Sequence, residues 1–113
     1  MLPLEYRLKN RTDFAKAFTE GKYASFGEIS IKYAKNSLAN SRIGFPVGKN
    51  YSKKAVVRNR TRRILQTACG EQISKLKPSF DIIVLIRPTY QDIELKKAAN
   101  ELDRVFAKAN LFI

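Results

Sequence analysis

"FDIIVLI", residues 80–86, is a near-continuous apolar run interrupted only by Asp81 near its start. A run of this kind reads as a central β-strand covered on both faces. Arg87 and Pro88 end it. Beyond them Asp92 is the expected N-cap of a last helix. Its apolar positions, Leu95, Ala98, Ala99, Leu102, Val105, Phe106 and Ala109, keep helical spacing. Upstream, "KKAVVRNRTRRILQTA", residues 53–68, predicts a helix with Ser52 as candidate N-cap and Gly70 as stop, and "EQISKL" a further helical stretch.

The first half of the chain reads in the same way. "RTDFAKAFTEG" predicts a helix with Thr12 as N-cap, Asp13 in the first turn and Gly21 as C-cap, with Phe14, Ala17 and Phe18 on one face. "KYASF" is a short strand candidate. "EISIKYAK" alternates, placing Ile29, Ile31 and Tyr33 on one side and Ser30 and Lys32 on the other. After the turn residues "NSLANS" comes "RIGFPV", a strand that Pro46 places at an edge or bulge. The element order is αβββαβα, without repeats, low-complexity segments or linkers. The expected fold is α+β, a two-layer α–β sandwich in a single domain over residues 1–113.

Composition narrows the chemistry. The chain carries 22 Lys and Arg against 10 Asp and Glu, a formal charge of +12 over 113 residues. Such an excess opposes compaction by self-repulsion and points to a polyanionic partner, nucleic acid before membrane. No apolar stretch approaches the length of a bilayer span, and no signal-peptide pattern opens the chain. One cysteine, Cys69, excludes an internal disulfide and reads as a small side chain buried at a helix end. A cytoplasmic protein is expected. With no histidine, scattered acids, no Gly-rich phosphate loop and no serine elbow, no catalytic residue and no protein metal site are assigned.

On a helical wheel of about 100° per residue, Val57, Thr61, Ile64, Leu65 and Ala68 fall in one inward arc. Arg58 and Arg60 lie on its flanks, and Asn59, Arg62 and Arg63 face outward. Lys54, Arg58 and Arg62 form an i, i+4 ladder of like charge that no acid in the helix relieves. A solvated helix face usually mixes signs, so this surface reads as a phosphate-contact ridge, extended by the loop lysines Lys49, Lys53 and Lys54. Guanidinium forks suit paired phosphate oxygens.

"RNR" within "AVVRNRTRRILQTA" resembles the signature of the bacterial ribonuclease P protein subunit. So do "RLKNRTDFAKAFTEGK", "SRIGFPVGKNYSKKAVVRNRTRR" and "FDIIVLIRP", in the family's order over nearly the whole chain. The resemblance implies a four-stranded mixed sheet with a left-handed βαβ crossover. It also implies a noncatalytic subunit of an RNA-based endoribonuclease. Its partners would be the ribonuclease P RNA and precursor tRNA, with no obligate protein partner, and magnesium would be held mainly by the RNA. On the same basis Arg58, Asn59, Arg60, Arg62 and Arg63, with Lys49, Lys53 and Lys54, contact the RNA subunit. Phe14, Phe18 and Tyr33 line a cleft for the single-stranded 5′ leader, although spacing alone reads these three as core. The alternative function is a general RNA-binding or ribosome-associated structural protein, which needs the charge but not the cleft.

Overall fold

A computed structural model describes residues 2–113. The elements in chain order are α1 (Arg11–Glu20), β1 (Lys22–Phe26), β2 (Ile29–Lys35), β3 (Arg42–Gly44), α2 (Ala55–Gly70), β4 (Phe80–Ile86) and α3 (Leu95–Lys108), with short 3-10 turns at Leu4–Tyr6 and Ile73–Lys75. The expected αβββαβα order is present. The strands form one mixed sheet in the order β1-β2-β4-β3. β1–β2 and β2–β4 are antiparallel; β3–β4 is parallel, its two strands joined through α2.

β4 is interior and buried on both faces, as its unbroken apolar run requires. Its alternate residues serve two cores. Ile82 and Val84 face the larger one, packed with Leu65, Ala68, Leu102, Val105 and Phe106 from α2 and α3. Ile83 faces the smaller one, beneath Leu8 and Ala17, with Phe14 and Leu85 half-buried beside it. Burying each such aliphatic side chain contributes about 1.5–3 kcal/mol, so three helices on two faces are held by one strand. β3 has only three residues and lies at the sheet edge, with Pro46 just beyond it.

Several helix boundaries differ from the sequence expectation. Asn10, not Thr12, caps α1: its Oδ1 accepts from the Thr12 N–H at 2.8 Å and the Asp13 N–H at 3.4 Å. Lys54 is the N-cap of α2 and has no side-chain cap bond; the Ser52 hydroxyl accepts instead from the Lys54 N–H. α2 runs through Gly70, and "EQISKL" contributes only the 3-10 turn. Glu94, not Asp92, precedes α3, while Asp92 sits in the left-handed region at φ 51°. Leu95, expected on the apolar face of α3, is exposed. Cys69 is buried, and desolvation pushes its thiol pKa well above the ordinary range.

A polar tie fastens α1 to the sheet. The Arg42 guanidinium donates to both carboxylate oxygens of Asp81, at 2.9 and 2.8 Å, and also meets Asp13 at 3.2 Å. Asn36 donates to Asp81 at 2.8 Å. Asp81 is thus a structural acid, buried at the start of β4. Replacing Arg42 with Ala strands that carboxylate with a single amide donor, so Arg42→Ala should cost about 3 kcal/mol, read as a lower urea midpoint with an unchanged m-value.

Candidate nucleic-acid interface

The inward arc of α2 is as expected: Thr61, Leu65 and Ala68 are buried, and Val57 and Ile64 are half-buried. Asn59, Arg60 and Arg63 are exposed. Arg58 and Arg62 are half-buried and have partners within the fold. Arg58 Nη1 donates to the carbonyls of Ser52 and Lys53, both at 3.0 Å. Arg62 donates to Val47 O at 2.6 Å and to Asn59 Oδ1 at 2.7 Å. These two arginines therefore lace α2 to the basic loop, and Arg60 and Arg63 point free.

The loop itself is anchored. Tyr51 is buried and its hydroxyl donates to the Tyr90 carbonyl, while Gln91 donates to Tyr51 O at 3.1 Å. Lys49, Lys53 and Lys54 are exposed around this anchor. They stand at a helix N-terminus that has no acid in its first turn and no side-chain cap. The positive end of the helix dipole thus adds to the lysine and arginine charge, an arrangement that an anion relieves. Among the described residues, only Arg42 is in ion-pair contact with a carboxylate.

A second surface lies on the α1 side of the sheet. Cross-strand partners share a face, and the register places Tyr23 opposite Lys32, Lys32 opposite Ile83, and Ile83 opposite Gly44. α1 crosses this row. The Phe14 ring lies directly over Gly44, where a Cβ would strike it, and Ala17 packs with Ile83. Lys32 Nζ sits 4.2 Å from the Phe18 ring centroid and donates to Phe18 O at 2.9 Å. Phe18 is 48% exposed and Tyr23 59% exposed. The next row, Ser25, Ser30 and Leu85, is half-buried and runs toward the end of β4, where Ile86 and Pro88 meet the Gly48–Tyr51 loop. Hydrogen bonds from Ser30 and Ser25, with Arg87 and Lys108 adding positive charge, hold the Tyr23 phenol below its usual pKa.

The structure does not bring Phe14, Phe18 and Tyr33 together. Tyr33 follows Ile29 and Ile31 onto the opposite face, where it packs against the larger core and the Phe80 ring. Phe14 is half-buried in the smaller core, so of the three only Phe18 offers an open ring on the α1 side. The aromatic that accompanies it is Tyr23, which the sequence reading missed. The available clue was the connection Gly27–Glu28. Gly27 at φ 62° makes a tight hairpin there, and that hairpin alone sets Tyr23 beside Lys32. Among the described residues no group of three or more His, Cys, Asp or Glu could hold a metal ion, and no helix is long and apolar enough to cross a membrane.

Comparison with known proteins matches this geometry to a family. The ribonuclease P family model matches residues 2–110. The ribonuclease P protein component of a Picosynechococcus strain is 31% identical over 111 residues, covering 98% of this chain and 96% of its own length. That of Lactobacillus johnsonii is 31% identical over 107 residues, covering 94% and 88%. The solved RNase P protein of Staphylococcus aureus superimposes with a TM-score of 0.83 at 26% identity, covering 96% of this chain and 98% of that one. The chain belongs to the ribonuclease P protein family, the noncatalytic protein component of an RNA-based endoribonuclease.

The contact between Phe14 and Gly44 is a test of how the α1 surface is held. Gly44→Ala places a methyl in the Phe14 ring and should lift α1, at a cost of about 1–3 kcal/mol. Proteolysis within Arg11–Glu20 should become faster in that variant while cleavage within α3 stays unchanged.

Proposed function

We propose that this chain docks on the ribonuclease P RNA through α2 and the Lys49–Lys54 loop, and holds the 5′ leader of precursor tRNA on the α1 side of the sheet. The observation that carries the leader reading is the trio Phe18, Lys32 and Tyr23 on the α1 side of the sheet, with both rings open to solvent. Two exposed rings flank a cation there, a surface suited to unpaired bases and a phosphate, and indifferent to base sequence. Phe14 acts beneath it as the support that sets the height of α1.

The protein's part in the reaction is electrostatic and positional. Arg60, Arg63 and the loop lysines neutralise phosphates on the RNA subunit. Arg58, Asn59 and Arg62 shape that ridge, and the face they leave outward adds to it. Hydrolysis of the phosphodiester belongs to the RNA subunit, where magnesium, held mainly by that RNA, would supply an activated water and charge stabilisation. Phosphate neutralisation by the protein lowers the magnesium concentration the complex needs. Leader contacts are available only in the precursor, so they favour substrate over mature tRNA. The reaction takes place in the cytoplasm.

Reconstitution with a bacterial ribonuclease P RNA tests this directly. At low magnesium the protein should raise precursor cleavage, and an unchanged rate would sink the proposal. Phe18→Ala and Tyr23→Ala should each weaken precursor binding by about 1–3 kcal/mol with mature tRNA affinity unchanged, whereas Tyr33→Ala should leave the leader-dependent part intact. Removing Arg60 and Arg63 should reduce the slope of log affinity against log salt by about one for each phosphate that is no longer neutralised, with unchanged thermal stability.

A further inference from the structure

Tyr33, turned away from α1, belongs to a different cavity. On the face of the sheet opposite Phe14 and Phe18, at the end where β1 begins and β2 finishes, a cleft of about 440 Å³ opens. That volume lies in the range of small-ligand sites, about 300–1,000 Å³. Tyr33 and Phe80 stand in it as a tilted aromatic pair, ring centroids 6.3 Å apart. The register sets a lysine directly across the ladder from each ring: Lys22 is paired with Tyr33, and Lys35 with Phe80. Lys77 adds a third ammonium from the segment before β4. Its backbone is held on both sides, the N–H donating to Leu111 O at 2.7 Å and the carbonyl accepting from Ser41 at 2.6 Å. Asn110, at φ 59°, contributes an amide to the wall, and Glu20 is the one acid there.

We propose that this cleft is a second nucleotide site, which takes one unpaired nucleotide with its base against Tyr33 and Phe80 and its phosphate among Lys22, Lys35 and Lys77. Three cations against one carboxylate select an anion. The two half-buried rings select a flat aromatic group, since a base has a π-face to offer. Asn110 carries both a donor and an acceptor for a base edge. The cleft is separated from the Phe18–Tyr23 surface by the thickness of the sheet, so a nucleotide here is additional to one held on the α1 side. The inference rests on RNA being the partner of the chain, and not on the leader reading of the α1 surface.

Two experiments test it. In the first, protein labelled with ¹³C at alanine methyls is titrated with adenosine 5′-monophosphate. The methyl of Ala109, which lines the cleft, should show a saturable ring-current shift, and Ala17 on the other face should not move. The K35Q/K77Q double variant should weaken that binding at least five-fold. Absence of a shift at Ala109, or the same shift with inorganic phosphate alone, overturns the site. In the second, p-benzoylphenylalanine at position 33 is irradiated in the reconstituted complex with RNase P RNA and precursor tRNA. A crosslink to either RNA supports the proposal and identifies the strand that supplies the nucleotide. No RNA crosslink from position 33, with one retained from the same probe at position 18, overturns this site and leaves the α1 reading standing. Loss of RNA crosslinks from both positions would instead overturn the assignment of RNA as the partner.

Discussion

The burial of β4 on both faces is the constraint from which the rest of the molecule follows. A strand with Ile82 and Val84 on one side and Ile83 and Leu85 on the other needs apolar cover twice. α2 and α3 supply the larger cover. α1 and the N-terminal segment with Leu8 supply the smaller. Because the second cover is small, it stops short of the sheet margin. Phe18, Lys32 and Tyr23 are left at its open side, and the Arg42–Asp81–Asp13 tie secures the other side. The exposed aromatic surface is therefore a consequence of how little core α1 has to bury against.

Most of the architecture was legible because hydrophobic period is a local property. The alternation of Ile29, Ile31 and Tyr33, the run of β4 and the apolar spine of α3 each state their secondary structure without reference to distant residues. Helix starts were less legible. Asn10, Ser52 and Asp92 are all capping residue types near helix starts, yet only Asn10 closes on its helix. At the other two the chain is committed elsewhere, Ser52 to the turn before Lys54 and Asp92 to a left-handed kink. Both outcomes are set by tertiary contacts of the preceding loop.

The candidate site was half legible for a sharper reason. Side chains on a strand alternate faces, so an error of a single residue moves a side chain through the sheet. The alternation itself put Tyr33 with Ile29 and Ile31 and put Lys32 opposite, which already separates Tyr33 from any surface shared with Lys32. Which of the two faces meets α1 is decided only when Ile83 of β4, whose apolar run shows no polarity difference between faces, pairs with Lys32. A two-sided strand hides that choice. The resemblance to a family implied an aromatic cleft between α1 and β2. An open ring does stand on α1, at Phe18, whereas the β2 member, Tyr33, lies on the far face.

The cationic surface resolves into two populations that composition could not distinguish. Arg42, Arg58 and Arg62 spend their hydrogen-bonding capacity on the fold itself, on Asp81 and Asp13, on the carbonyls of Ser52 and Lys53, and on Val47 and Asn59. Arg60, Arg63, Lys49, Lys53 and Lys54 make no comparable contact and remain available to solvent. Mutual repulsion among this second group is unrelieved in the free chain, and ligand linkage turns that repulsion into an advantage for the complex: a polyanion that binds only the folded state stabilises it in proportion to RT ln(1 + [L]/Kd). The laced arginines keep the unlaced ones in place until the RNA arrives. An RNR motif whose members divide between holding the loop and facing outward serves docking better than one with every side chain free would, because the flexible side chains are then carried on a surface that has already been ordered.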